Sequence, residues 1–189
     1  MVHSILSVIV LATLAFVGTM FDNFFAFAAQ LLVTDPKRFK RVSWAQALGV
    51  VALILIAGGI GSLLTPIPLP WIGILCLAPW ALGVHAWRQR DRPPSETFRR
   101  GAITTFVMTL ALGGDNLAVW IPLLRANGVL HAILSVCVFG ALEFLFLVSA
   151  RALTSRPKVV EWGSKYAPRS VPWIYFGLGV LILIECGSL

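Results

Sequence analysis

Charged residues are scarce in this chain. Aspartate, glutamate, lysine and arginine make up 12% of its 189 residues, whereas a typical soluble domain contains about 25%. Hydrophobic residues make up 58%, and the mean hydropathy is +0.88. Such a composition leaves no room for a separate soluble domain. It predicts an all-α polytopic membrane protein with a single transmembrane domain over residues 1–189.

The chain also lacks the signals of several other protein classes. Its cysteines, Cys76, Cys137 and Cys186, have unrelated spacing and predict neither a disulfide framework nor a CxxC redox motif. The first residues lack the basic region of a signal peptide, and no nucleotide-binding motif is present. The net charge of +7 comes from short loops between apolar runs, so we expect a lipid bilayer and no nucleic acid as partner.

Six apolar runs are each near or above the roughly 20 residues that cross a bilayer. We predict spans at about 5–32, 42–64, 70–88, 100–124, 129–150 and 170–187. The first run is long enough to tilt, bend or protrude.

Basic residues concentrate in three of the connections, and Arg125 is the only one elsewhere. The three groups are Lys37, Arg38, Lys40 and Arg41; Arg88, Arg90, Arg92, Arg99 and Arg100; and Arg151, Arg156, Lys158, Lys165 and Arg169. By the positive-inside rule, the first, third and fifth loops are cytoplasmic. Both termini are therefore predicted to lie outside.

The third loop, about 88–100, divides the chain into two halves of three spans. We predict two inverted three-helix repeats, at about 1–90 and 100–189, because an odd number of spans makes the halves antiparallel in the membrane. The Asp22-Asn23 and Asp115-Asn116 pairs lie in the first span of each half. Pro-Trp-Ile occurs in the third span of each half, at 70–72 and 172–174.

The two Asp-Asn pairs are the strongest functional signal. A carboxylate at the centre of a membrane helix costs roughly 2.5–3.5 kcal/mol and marks a functional site by default. Gly113-Gly114 and Pro122 predict a locally opened helix beside Asp115. Carboxylate and amide oxygens with freed carbonyls suit a cation, so we predict metal ligands at Asp22, Asn23, Asp115 and Asn116. The alternative is a kink with a polar contact that locks two helices.

Helical spacing predicts that the two aspartates face each other. A stripe of small residues surrounds the first aspartate and would let helices approach closely; it comprises Ala15, Gly18, Ala26 and Ala29. A less strict stripe around Asp115 comprises Ala111, Ala118 and Pro122.

Four further residues are candidates for the metal or proton pathway. Thr19 would line it, although membrane threonines often bond their own backbone. Met108 offers a sulfur on the Asp115 face, although a core methionine is the more usual explanation. Glu143 is a ligand, a proton carrier or the partner of a basic group, and Glu185 lies near the end of the last span.

The segment Gly113-Gly114-Asp115-Asn116-Leu117-Ala118-Val119-Trp120-Ile121-Pro122 resembles the signature of the CadD-type cadmium-resistance transporters, within the LysE-like exporter superfamily. The final segment, 172–185, and the segment 71–84 resemble other parts of that family. The resemblance implies efflux of Cd²⁺ or other divalent ions across a bacterial inner membrane, with no permanently bound cofactor. It places Asp22, Asp115, Asn116 and Glu185 at motif positions, although this family more often carries two acidic residues at 22–23.

The sequence favours a secondary transporter that exports a divalent cation over an enzyme, with exchange against protons as the candidate mechanism. A LysE-like exporter of another small solute, such as an amino acid, is the main alternative. An intramembrane aspartyl protease is disfavoured, because Leu112 stands where its Gly-x-Gly-Asp motif needs the first glycine. The sequence leaves open whether the chain forms a homo-oligomer.

Overall fold

The computed structural model describes residues 5–64, 66, 77–89, 101–126 and 128–185. Within these ranges the regular structure is entirely helical, which confirms the predicted all-α class. The elements are α1 (Ile5–Thr19), α2 (Phe21–Leu32), a 3₁₀ turn (Pro36–Arg38), α3 (Phe39–Leu63), α4 (Leu77–Gln89), α5 (Ala102–Leu112), α6 (Gly114–Ala126), α7 (Gly128–Leu153) and α8 (Pro157–Glu185).

Up to four membrane spans are evident from helix length and composition in the described residues. Pro36–Leu63 and Gly128–Leu153 are each long and apolar enough to cross a bilayer alone. Two bent pairs qualify if each is one span: α1 with α2, at 52°, and α5 with α6, at 59°. These four correspond to the first, second, fourth and fifth predicted runs. The third and sixth runs, 70–88 and 170–187, lie partly outside the described residues, and neither is among these four.

The last helix begins earlier than the sequence suggested. The sequence predicts a fifth loop from Arg151 to about Arg169, but α8 begins at Pro157. Proline suits the first helical turn, because its fixed φ is already helical and its missing N–H would have no partner there. The basic side chains of this segment remain exposed on the helix surface. The cluster of basic residues identified a polar segment correctly. This segment is nevertheless helical from Pro157 onward.

Helices from each half of the chain pack against helices from the other half. The first bent pair packs against α7, and the second bent pair packs against α3. The remaining helices, α4 and α8, pack against each other, and α2 also packs on α8. Each bent pair therefore rests on the long straight helix of the other half.

Small residues permit two of the close helix contacts. At Gly49 a Cβ would lie 2.7 Å from the Thr109 Cβ, which allows α3 to approach α5. At Gly18 a Cβ would lie 2.8 Å from a methyl group of Ile174. The predicted stripe around Asp22 thus includes a close approach, but that approach is to α8 rather than to the fourth span.

Candidate functional site: two helix breaks and a shared sulfur

Both bent helices break in the same way. The break residues are Met20, with φ −95° and ψ 4°, and Gly113, with φ −82° and ψ 4°. Each donates its backbone N–H to the carbonyl four residues earlier, Phe16 or Thr109, at 2.9 Å. These angles lie in the sparsely populated bridge region, where active-site residues often occur. Because methionine adopts them as well, the bend does not depend on glycine's conformational freedom.

Each Asp-Asn pair lies in the first turn of the helix that follows a break. Asp22 is the second residue of α2, and Asp115 is the second residue of α6. In both pairs the backbone N–H of the asparagine donates to Oδ1 of the preceding aspartate, at 2.8 Å. A carboxyl group at a helix start satisfies an otherwise unbonded N–H and faces the positive end of the helix dipole. The two halves of the chain therefore present the same local arrangement.

The side chain of Met20 connects the two pairs. Its sulfur accepts a hydrogen bond from Nδ2 of Asn116 at 3.2 Å and one from Nδ2 of Asn23 at 3.7 Å. Met20 is 2% exposed and Asn116 is fully buried. The structure thus brings the amides of both predicted pairs to one thioether, which the sequence did not single out.

Tyr175 of α8 completes the surroundings of the pairs. Its hydroxyl donates a hydrogen bond to Oδ2 of Asp115. Asp22 lies within electrostatic reach of both Asp115 and Tyr175. The sequence contained a clue to this contact, because a tyrosine in an apolar helix usually seeks a hydrogen-bond partner. Tyr175 lies within the segment 172–185 that resembles the family, but the sequence did not identify it as a site residue.

The chemical groups at the pairs are mixed rather than purely acidic. No cluster of three or more histidine, cysteine or acidic residues suited to a metal occurs in the described part of the chain. The two pairs provide two carboxyl groups and two amides, and Met20 adds one thioether. One acceptor stands open: Oδ1 of Asn116 is buried and has no hydrogen-bond partner among the described residues.

A polar cavity lies beside the pairs, along α2 and α5 in the direction of the first and third loops. Its volume is about 20 Å³, which is room for one water molecule. Gln30 Nε2 donates to Thr105 Oγ1 at 2.7 Å, and Thr109 Oγ1 donates to Gln46 Oε1 at 2.5 Å. Asn23 also lines this cavity, so polar groups continue from the pair towards those loops.

Aromatic rings occupy the opposite direction, along α1 and α6 away from the pairs. Phe16 stacks on Trp120 with ring centroids 5.9 Å apart. Phe139 of α7 contacts both rings, at 5.6 and 4.7 Å. All three side chains are buried. The pairs therefore have polar groups on one side and a packed aromatic cluster on the other.

The other predicted pathway residues have different positions. Thr19 donates its hydroxyl to the carbonyl of Ala15 at 2.8 Å, the backbone bond that was its alternative explanation. Met108 lines the polar cavity together with Asn23. Glu143 lines a separate groove between α3 and α7. Glu185 ends α8, and its side chain lies outside the described part of the structure.

Comparison with known families gives an independent result. The family model described as cadmium resistance transporter matches residues 16–189, which includes both Asp-Asn pairs and both helix breaks. Searches of curated proteins and of solved structures found no match. The matched segment covers nearly the whole chain, and the resemblance to cadmium-resistance transporters is confirmed. The chain belongs to the cadmium resistance transporter family.

Proposed function

We propose that this protein is a secondary transporter that exports divalent heavy-metal cations, with Cd²⁺ as the main substrate, across a bacterial inner membrane. The substrate site consists of Asp22, Asn23, Asp115 and Asn116. The observation that carries the proposal is the repeated helix break, which places one Asp-Asn pair at each of two helix starts around a common centre. Broken membrane helices commonly form the ion sites of secondary transporters.

Charge balance supports a divalent substrate. Two carboxylates together neutralise one divalent cation, which matters because charges interact strongly where the dielectric constant is low. Protonation of the same carboxyl groups would weaken the attraction and release the ion. This provides a route to exchange against protons without a bound nucleotide.

The surroundings of the pairs suggest a direction of access. We assign the two sides by the predicted topology, with six spans in two inverted repeats and both termini outside. The polar cavity then faces the cytoplasm, and the aromatic cluster of Phe16, Trp120 and Phe139 closes the external side. The packing of each bent pair against the long straight helix of the other half supports this assignment, since inverted repeats typically move against each other around a central site.

Transport by purified protein in liposomes tests the proposal. We expect Cd²⁺ uptake that depends on a pH gradient, and we expect Asp115→Asn to abolish it. Asp35→Asn is the matched control, because Asp35 is exposed beside the 3₁₀ turn, and it should transport normally. Thermal unfolding of each variant in detergent establishes that it is folded.

Two outcomes would overturn the assignment. The first is wild-type Cd²⁺ transport by folded Asp115→Asn. The second is transport of an amino acid, tested with labelled lysine in the same liposomes, together with no metal transport by the wild-type protein. That result would favour the exporter of small organic solutes.

A further inference from the structure

We infer that the Met20 thioether is a direct ligand of the transported ion and sets the preference of the site for soft over hard divalent cations. The inference rests on the proposed metal transport. It identifies a specificity-determining residue in that site and explains how a site rich in oxygen would distinguish Cd²⁺ from Mn²⁺.

The position of Met20 is the first observation. Its sulfur lies within 3.2 Å of the Asn116 amide nitrogen and 3.7 Å of the Asn23 amide nitrogen. An ion held by both Asp-Asn pairs would occupy the region between these amides, where the sulfur already lies. Met20 is also the break residue itself, so its backbone is fixed directly before the turn that carries Asp22.

The second observation is independent and concerns Asn116. Its side chain is completely buried (0% accessible), and its Oδ1 has no hydrogen-bond partner in the described residues. A buried acceptor without a partner is unfavourable. A half-turn about the Cβ–Cγ bond would exchange nitrogen and oxygen beside the sulfur. A cation on the sulfur would then also be coordinated by the amide oxygen.

The chemistry of the donors gives the specificity. Carboxylate and amide oxygens suit hard cations such as Mn²⁺ and Ca²⁺, whereas thioethers favour softer metals. Cd²⁺ is a soft, polarisable ion and gains from one sulfur in a way that Mn²⁺ does not. The equivalent position in the second half is Gly113, which has no side chain. The two breaks together therefore supply a single thioether.

The structure separates Met20 from the other candidate sulfur. Met108 lines the polar cavity, together with Gln30, Gln46 and Thr105. It shares that cavity with Asn23, but the structure records no hydrogen bond from either asparagine to its sulfur, whereas both amides donate to Met20. Met108 is thus the competing sulfur with which Met20 is compared.

Leucine replacements test the inference, because leucine preserves the size and the apolar character of methionine. We expect Met20→Leu to weaken Cd²⁺ binding at least about tenfold, in line with losses seen when support for a metal ligand is removed. Mn²⁺ binding should change less than about twofold. Met108→Leu removes the competing sulfur, and it should weaken Cd²⁺ binding much less than Met20→Leu does. Isothermal titration calorimetry in detergent measures all of them.

X-ray absorption gives a second measurement that does not depend on the folding of Met20→Leu. The chain has three methionines, Met1, Met20 and Met108. In selenomethionine-labelled Met108→Leu protein loaded with Cd²⁺, the selenium edge should show a cadmium neighbour at bonding distance.

The outcomes separate the two proposals. Absence of a cadmium–selenium contact in labelled, metal-loaded protein would overturn the role of Met20, as would unchanged Cd²⁺ affinity in folded Met20→Leu. In both cases Cd²⁺ transport itself would persist. Failure of the wild-type protein to transport any metal would instead overturn the proposed function.

Discussion

The hydroxyl of Tyr175 donates a hydrogen bond to Oδ2 of Asp115. The contact joins the last helix to the start of α6, and it occupies a carboxyl oxygen that a bound cation would need. Oδ1 of the same carboxyl group already accepts the N–H of Asn116. Both oxygens of Asp115 are therefore engaged, and at the proposed site Tyr175 would compete with the ion for Oδ2.

This competition predicts the behaviour of Tyr175→Phe. Without metal, the variant should lose roughly 1.5–3 kcal/mol of stability, as expected for a hydrogen bond to a charged group. With saturating Cd²⁺ the loss should be smaller, because the ion then satisfies the carboxyl oxygen. Unfolding in detergent with and without Cd²⁺ measures the difference.

Tyr166→Phe is the control for this experiment. Tyr166 lies on the same helix and packs on Trp162, away from the pairs, so its effect should not depend on metal. If Tyr175→Phe lost equal stability in both states, Tyr175 would remain on Asp115 when the ion binds, and the competition would be disproved.

The two glycines before Asp115 should respond differently to alanine. A Cβ at Gly113 would lie 2.7 Å from the Thr109 carbonyl oxygen, a backbone atom that cannot easily move, and would also collide with Leu53. We expect Gly113→Ala to cost roughly 1–3 kcal/mol, the usual range for overpacking. At Gly114 no described atom lies within 4 Å of the added Cβ, so Gly114→Ala should be tolerated.

Thermal unfolding of both alanine variants tests this prediction. Equal losses would mean that both glycines serve backbone flexibility rather than close packing of α3 against the break. Met20 adopts nearly the same backbone angles as Gly113, which argues for packing as the reason.

The aromatic cluster should contribute to stability and to the closure of one side of the site. Phe139→Ala should destabilise the protein by less than the roughly 3–5 kcal/mol of the same change in a soluble core, because only the packing component remains in a bilayer. Phe144→Ala is the control, since Phe144 lies on the same helix but is 71% exposed. Unfolding in detergent gives both values, and similar losses would contradict the packing role.

Replacing Glu143 with an apolar residue should increase the stability of the folded protein. It is 6% exposed, and neither carboxyl oxygen has a partner in the described part of the chain. Replacing an unsatisfied buried polar group with an apolar group of similar size removes a penalty of roughly 1–3 kcal/mol. We expect Glu143→Met to raise the unfolding temperature.

Glu161→Met, at an exposed position of α8, is the matched control and should have little effect. A fall in the unfolding temperature of Glu143→Met would show that the carboxyl group has a stabilising partner in the bilayer. The groove that Glu143 lines also contains Lys40 and Arg151, and these are the basic groups that could be that partner.

Much of this protein was predictable from local sequence. Long apolar runs form helices in the described residues, as expected because an unbonded backbone is too costly in lipid. The two Asp-Asn pairs stand out for the same reason, since a carboxyl group in such a run needs an explanation. The break before Asp115 was also expected from Gly113-Gly114, whereas Pro122 lies within α6 without ending it.

The tertiary structure decided which groups surround the pairs. Met20 looked like an ordinary apolar residue, and Tyr175 belonged to a distant helix, so no spacing rule could join either to Asn116 or Asp115. The tertiary structure also places Glu143 in a groove separate from the two pairs. Hydropathy and local propensity act over a few residues and determine which segments cross the membrane. The contacts of Met20 and Tyr175 depend on how bent helices pack across the two halves, and only the folded chain sets that geometry.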